Sequence, residues 1–227
     1  MNDPEGSEYD RLFYPYLFEG GKSSIEDVLA QVRHSTLEKC HEVVALRRAT
    51  LEGSRDQIIA AGQAMSQAFA NGATLLAFGN GGSTTDAQDL VTELLDPPFP
   101  DWCPLPAIAL TNDIAVVTAV ANDVGFDNVY ARQVIAFGRR GDIALGISTS
   151  GNSTNVLVAL AQAKKQGLLT IGLAGYDGGK MMHSPSVDFC INSPSDHIPR
   201  IQEAQATAYH ALVEVIHALL NKKESHL

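Results

Sequence analysis

The sequence is short of positive charge, with 16 Lys and Arg against 26 Asp and Glu among 227 residues and a net charge of −10. A protein that covers nucleic-acid phosphates or anionic lipid over a broad area needs the opposite balance, so both roles are excluded as the main one. A local basic pocket stays compatible with this composition. We therefore expect a small or proteinaceous partner, with no direct binding to nucleic acid or membrane.

Cysteine is also scarce, with three widely separated residues, Cys40, Cys103 and Cys190. An odd number at these distances excludes a disulfide framework and a paired zinc–thiolate site. The sequence predicts reduced, mostly buried thiols.

Signals for export and membrane insertion are missing. The first residues, "MNDPEGSEYD", have neither a basic region nor an apolar one, and no uninterrupted run of eighteen apolar residues occurs. We expect a cytoplasmic protein.

Hydrophobic residues are plentiful, at 45% of the chain, which is enough to build a full core. Residues 1–22 mix acids, aromatics and glycines without a period, which predicts an arm whose apolar stretch, 12–18, needs a surface such as a neighbouring subunit. Residues 23–227 are predicted to form one domain with helices at its start: a long helix from Ser23 to about Leu51 and a second one over 57–70.

Short apolar runs then alternate with helical stretches. Continuous apolar runs indicate strands buried on both faces, and their alternation with helices predicts an α/β fold with a doubly wound parallel sheet of about five strands. The predicted strands are 73–79, 106–110, 142–148, 168–174 and 187–192. The predicted helices are 84–95, 113–121, 127–137, 152–166 and 200–221.

Two polar loops follow strands of this predicted sheet. The first, residues 79–83 ("GNGGS", the glycine loop), matches neither the dinucleotide fingerprint nor the P-loop, which disfavours a nucleotide cofactor. The second, residues 148–153 ("STSGNS", the serine loop), offers hydroxyls and backbone N–H groups at a helix start. An ordinary helix cap is the simpler interpretation of either loop alone, but two together favour a phosphosugar-like ligand.

The helix after the glycine loop carries three acids on one face, Asp86, Asp89 and Glu93. A solvated acidic face explains them simply, whereas a metal or substrate hydroxyls would explain why the charges cluster. On the last predicted helix His210, Glu214 and His217 share a stripe; we assign Glu214 and His217 to its solvent edge and keep His210 for chemistry.

Five motifs in order, "GNGGS", "VANDVGF", "GDIALGISTSGNS", "GYDGGKM" and "RIQE" followed by a helical histidine, closely resemble the sugar isomerase (SIS) domain and within it the phosphoheptose isomerases. The resemblance runs from about Ser23 to Asn221. It implies a flavodoxin-like SIS fold, a homotetramer with sites at subunit interfaces, and conversion of sedoheptulose 7-phosphate to D-glycero-D-manno-heptose 7-phosphate through an enediol.

The resemblance also implies roles for individual residues. Glu93 and His210 become the catalytic base and its acid/base partner, since moving a proton between C1 and C2 and between two oxygens needs two such groups. The implied substrate- and phosphate-binding residues are Asn80, Gly81, Ser83, Asp123, Ser148, Thr149, Ser150, Ser153 and Gln202.

A metal is implied as well, often zinc in this family. The implied ligands are Asp89, Glu93, Gln202 and His210. Asp89 stands where the family has a histidine, and Gln205 replaces a second histidine, so the donor set is richer in oxygen and also suits harder divalent ions. A further departure is Leu94-Leu95 where many members carry Gly-Arg, which leaves the identity of the sugar open.

Two other functions remain compatible with the sequence. A non-catalytic SIS protein that senses a phosphosugar or acts as an adaptor, like the replication-initiator-binding relatives, would fit the missing histidine at position 89. Such relatives tend to lose the glutamate that this chain keeps as Glu93. An isomerase for another sugar phosphate, such as a six-carbon one, is the second alternative.

Overall fold

The structure, a computed structural model, describes residues 25–224; the predicted arm at 1–22 lies outside them. The described residues divide into two compact units, and the division falls between His41 and Glu42. The second unit contains the whole sheet and every candidate site residue. In the described part of the chain no helix is both long and apolar enough to cross a membrane.

Before the sheet, the described residues form one helix, α1 (Ile25–Ala70), where the sequence predicted two. The intervening Glu52-Gly53-Ser54 contains no proline, and a glycine costs a helix only about 1 kcal/mol. Packing offsets this cost, because the Ser54 hydroxyl bonds the backbone N–H and C=O of Asn192 at 3.1 and 3.3 Å. The helix ends at Asn71-Gly72 as predicted, with Gly72 at φ 81°.

The sheet has five parallel strands in the order β2-β1-β3-β4-β5, which confirms the predicted fold class and its flavodoxin-like order. The strands are β1 (Leu75–Gly79), β2 (Ala107–Ala109), β3 (Ile143–Ser148), β4 (Leu169–Gly175) and β5 (Phe189–Ser193). Every residue of β1 and β3 is buried, as expected for strands covered on both faces.

Helices cover both faces of the sheet. They are α2 (Gly82–Leu95), α3 (Ile114–Val124), α4 (Val129–Phe137), α5 (Thr154–Gln166), α6 (Gly179–Met182) and α7 (Ile198–Glu224). On one face Leu75 packs in a cluster with Leu90 of α2 and Leu212 of α7, and on the other Leu76 packs with residues of α4 and α5. Alternate residues of β1 thus serve two cores.

This topology brings the two polar loops together. In the register of β1 and β3, Gly79 pairs with Ile147, so both strands end at the same edge of the sheet. The chain winds toward β2 on one side of this pair and toward β4 on the other. The glycine and serine loops therefore flank the switch point at which α/β sheets bind ligands.

Two predictions about burial are wrong. Cys40 and Cys103 are exposed and Cys190 is partly buried, because Cys40 lies on the exposed half of α1 and Cys103 lies in the proline-rich connection 96–106. His217 is fully buried instead of solvated. The cause is the proline-rich connection 96–106, whose Trp102 ring stacks on the His217 ring of α7 with centroids 4.3 Å apart.

Candidate active site

The central contact of the site joins α2 to α7. His210 Nδ1 and Glu93 Oε2 are 2.5 Å apart, which is within hydrogen-bonding distance. We assign the donor role to the ring nitrogen, because an ionised carboxylate can only accept. The Glu93 side chain is 17% exposed and that of His210 is 45% exposed. The carboxylate is thus shielded while the imidazole reaches solvent, and Nε2 is the ring nitrogen left for another partner.

Asp89, one turn before Glu93, is held by a residue that the sequence analysis missed. The Tyr209 hydroxyl donates to Asp89 Oδ2 at 2.6 Å, and His210 Nε2 lies 3.9 Å from the same oxygen. Burial, and then the bond to Asp89, raises the pKa of Tyr209, so this phenol stays protonated. The sequence did not indicate this role, because Tyr209 stands directly before His210 on a mostly apolar helix and belongs to no recognised motif.

Asp86 completes the acidic face of α2. Burial, followed by the negative charge of Asp89, raises the pKa of Asp86 to about 6. Its Oδ2 is buried and has no hydrogen-bond partner among residues 25–224. The simpler interpretation, a fully solvated acidic face, is therefore not correct for Asp86, because its carboxyl is desolvated.

Gln202 belongs to α7, and its side chain contacts Gly82 at the start of α2. A Cβ placed on Gly82 would meet its Nε2 at 1.8 Å, so the carboxamide rests directly on the Gly82 backbone. Gln205, one turn further along α7, is 1% exposed, and neither of its amide atoms has a partner in the described part of the chain. The structure thus places Gln202 beside the glycine loop, and among residues 25–224 it forms no hydrogen bond with Glu93.

The hydroxyls of the serine loop fall into two pairs. Ser148 Oγ lies 2.9 Å from Ser153 Oγ, and Ser148 is buried. Ser150 and Thr149 are partly exposed, and the Ser150 hydroxyl accepts a hydrogen bond from Asn152 N at 3.2 Å. The loop therefore has a bonded floor and a rim with hydroxyls that remain available to a ligand.

A close approach of backbone fixes the shape of this loop. Gly151 has φ 64°, and a Cβ there would lie 2.1 Å from the carbonyl oxygen of Gly178. Asn152 adds a side-chain contact, because its Oδ1 accepts from Lys180 N at 3.0 Å. The segment 176–180 thus backs the serine loop.

The glycine loop turns sharply into α2. Gly81 has φ 57°, and the N–H groups of Ser83 and Thr84 bond the carbonyls of Asn80 and Gly81, each at 3.0 Å. Ser83 is 3% exposed and belongs to the helix, which begins two residues earlier than predicted. The Asn80 side chain points to Asn155 of α5, a residue that the sequence analysis missed.

Asp123 is a predicted substrate-binding residue that lies away from both loops. It lies in the last turn of α3, exposed, with its Oδ1 bonded to the neighbouring Asn122 at 2.9 Å. No described contact brings it to either loop.

The four implied metal ligands do not form a metal site in this arrangement. Over residues 25–224 no group of three or more His, Cys, Asp or Glu side chains is placed to hold an ion. Glu93 and His210 bond each other, Asp89 bonds Tyr209, and Gln202 lies at Gly82. Three of the four donors are thus engaged in hydrogen bonds within the described chain, and the fourth lies elsewhere, at the start of α2.

The fold defines a class of protein, a doubly wound α/β domain with two polar loops at the carboxyl ends of β1 and β3. The chain belongs to the SIS domain family, whose model matches residues 40–175, and within it to the phosphoheptose isomerase type. The family predicted from the five motifs is confirmed.

Curated relatives and solved structures agree. The chain is 38% identical to the phosphoheptose isomerase of Roseiflexus sp. over 81% of this chain and 92% of that one, and 46% identical to that of Geotalea daltonii over 70% and 82%. The phosphoheptose isomerase structure from Francisella tularensis superimposes with a TM-score of 0.75 at 34% identity, covering 84% of this chain and 98% of that one. The structure from Neisseria gonorrhoeae gives 0.75 at 35%, covering 82% and 99%.

Proposed function

We propose that this protein is a ketose–aldose isomerase that converts sedoheptulose 7-phosphate to D-glycero-D-manno-heptose 7-phosphate through an enediol. The contact between Glu93 and His210 carries the proposal, because it pairs a shielded carboxylate with an exposed imidazole, and Glu93 lies on the helix α2 that follows the glycine loop. Relatives named phosphoheptose isomerase over most of their length support the same reaction and substrate.

The proposed chemistry needs two proton carriers. Glu93 takes the proton from C1 of the open-chain ketose, the C1–C2 enediol forms, and the proton returns to C2 to give the aldose. His210 gives a proton to O2 as the enediol forms and takes one from O1 as the aldehyde forms. Since Glu93 bonds Nδ1, we assign this shuttle to Nε2.

The phosphate is assigned to the serine loop. Thr149 and Ser150 supply partly exposed hydroxyls, and the helix dipole of α5 adds positive potential at the same point. Ser148 and Ser153 form the floor. We assign the sugar to the glycine loop and the side chain next to it, namely Asn80, Gly81, Ser83 and Gln202. Asp123 lies away from both loops of its own chain, so we assign it to the site of another subunit.

We further propose that the enzyme is a homotetramer with sites at subunit interfaces. Helix α3 consists mostly of Ile, Val and Ala and yet buries none of its residues within the chain. Ile114 is 70% exposed and Phe126 is 54% exposed. A second copy of the chain would cover this surface, and sedimentation velocity measures the resulting mass.

The proposal assigns no step to a metal. A role for zinc or another divalent ion at Asp89, Glu93, Gln202 and His210 is measured by adding the ion to metal-free protein. The single domain over 23–227 and the cytoplasmic location stay predictions from the sequence.

Proton NMR of the protein with sedoheptulose 7-phosphate in D₂O, run metal-free and with added zinc or manganese, tests the proposed function. We expect an aldose 7-phosphate with deuterium at C2, because a proton held by Glu93 exchanges with solvent before its return. A bound phosphosugar with neither turnover nor exchange under any condition would instead favour the sensor or adaptor function. Faster turnover of a six-carbon ketose phosphate would correct the substrate.

A further inference from the structure

A pair of carboxamides connects the glycine loop to the start of α5, directly after the serine loop; Asn80 is partly buried and Asn155 is buried. Asn80 Nδ2 donates to Asn155 Oδ1 at 2.8 Å, and Asn155 Nδ2 donates back to Asn80 Oδ1 at 2.8 Å. Asn155 is the second residue of α5 and is 2% exposed. Its Oδ1 also accepts from Val156 N at 3.0 Å, which fixes the plane of the amide.

A third element holds the same point. The buried Tyr130 hydroxyl of α4 donates to the carbonyl of Gly79 and lies 3.4 Å from Asn80 Oδ1. The Tyr130 ring stacks on Phe78, with centroids 5.3 Å apart. The glycine loop is therefore held from both sides, through its backbone by Tyr130 and through its side chain by Asn155.

Core packing alone does not require such a pair, since apolar residues of similar size fill the same volume without a desolvation cost. Two opposed hydrogen bonds do something that apolar contact cannot, because they fix the distance and orientation of the groups that make them. Here they fix the end of β1 against the start of α5, which are the two walls of the proposed phosphosugar site.

We propose that Asn155 is a positioning residue that sets the spacing between the glycine loop and the serine loop through Asn80. The proposal rests on the proposed function for the identity of the ligand. With the pair in place, both loops are held in one arrangement before the phosphosugar arrives. Without it, the glycine loop is released from α5 and the ligand must order it on binding.

The test compares Asn155→Leu with Gln133→Leu in the full-length protein. Gln133 is a matched control, because it is a buried amide, 5% exposed, whose Nε2 bonds the carbonyls of Leu110 and Val129 outside both loops. Three readouts are taken: hydrogen–deuterium exchange of the peptide covering 79–84, affinity for inorganic phosphate by calorimetry, and kcat/KM with sedoheptulose 7-phosphate.

We expect both variants to lower Tm, since each loses a buried amide. Only Asn155→Leu is expected to speed exchange over 79–84 and to lower kcat/KM at least about tenfold. It should also weaken inorganic phosphate about tenfold, because the start of α5, which carries the serine loop, loses the same anchor. In the double variant Asn155→Leu/Asn80→Leu, phosphate affinity should fall less than twofold below that of Asn155→Leu. The reason is that Asn80 has already lost its partner Asn155 in the single variant.

Parental exchange and parental phosphate affinity in Asn155→Leu would overturn the positioning role, as would equal changes in Gln133→Leu. A parent protein that binds phosphate but turns over no sugar would refute the proposed reaction and leave the positioning role to be judged on exchange and affinity. A parent that binds no phosphate would overturn both proposals.

Discussion

The carboxylate of Glu93 and the imidazole of His210 are in direct contact, Oε2 to Nδ1 at 2.5 Å, although 117 positions of sequence separate them. If Glu93 is the base, Glu93→Gln keeps the shape and removes the group that accepts the proton. We expect turnover to fall about a thousandfold with phosphosugar binding largely retained. NMR turnover and calorimetric binding measure the two effects separately.

Glu214→Gln is the matched control for this change, since it alters an exposed glutamate on the same helix as His210. It should leave turnover unchanged. Equal activity in Glu93→Gln and the parent would show that another residue is the base.

The serine loop can be tested with one hydroxyl. Ser150→Ala removes a partly exposed group on the rim, and we expect phosphate affinity to weaken about fivefold while kcat changes less. Ser184→Ala is the control, because each serine hydroxyl accepts from the backbone N–H two residues later at 3.2 Å. If both variants bind phosphate equally, Ser150 does not contact the ligand.

Alanine substitutions at Gly141 and Gly151 distinguish the cost of backbone strain from the cost of a steric clash. Both have positive φ, 64° and 92°, but a Cβ on Gly141 meets nothing within 4 Å, whereas one on Gly151 meets the Gly178 carbonyl at 2.1 Å. Gly141→Ala should cost about 1 to 2 kcal/mol of unfolding free energy. Gly151→Ala should cost more and also weaken phosphate binding. Urea unfolding measures both, and equal costs would mean that the loop tolerates the displacement.

Much of this architecture could be predicted from local patterns. Continuous apolar runs gave all five strands within two residues, because strands buried on both faces carry that signal wherever they stand. The glycine and serine loops were found for the same reason, as their composition is local. The family motifs added Glu93 and His210.

Contacts between distant side chains could not be predicted. Nothing near Tyr209 or Asn155 in sequence reveals that they bond Asp89 and Asn80, since these partners meet only after the sheet has formed. The burial of His217 has the same origin, because it depends on Trp102 folding over α7. The continuity of α1 through Gly53 was decided by packing, which outweighs local propensity.

Asp86 should make stability fall as pH rises. Its pKa, raised to about 6 by burial and by Asp89, means that the folded protein binds more protons than the unfolded chain between about pH 4 and 6. The cost is fully present above pH 6. Asp86→Asn should therefore raise Tm at pH 7.5 and change it little at pH 4. A variant that lowers Tm at both values would show that the carboxyl has a partner.

His217 should act in the opposite direction. Burial lowers its pKa, with Asp101 partly opposing the shift, so the unfolded chain binds the proton more readily and stability is lost as pH falls below about 6.5. His217→Phe keeps a ring to stack on Trp102 and removes the titration. We expect a smaller loss of Tm between pH 7.5 and 5.5 than in the parent. An unchanged pH profile would assign the acid sensitivity to other groups.

The place of β1 and β3 at the centre of the sheet has a thermodynamic consequence. Strands paired on both sides and buried on both faces are the last to open in local fluctuations, and both loops of the site are extensions of these two strands. A ligand bound there would need to order little backbone, so its association should carry a small conformational-entropy penalty. Motion needed for turnover would then come from the surrounding helices, and calorimetry across temperature would show it in the heat capacity of binding.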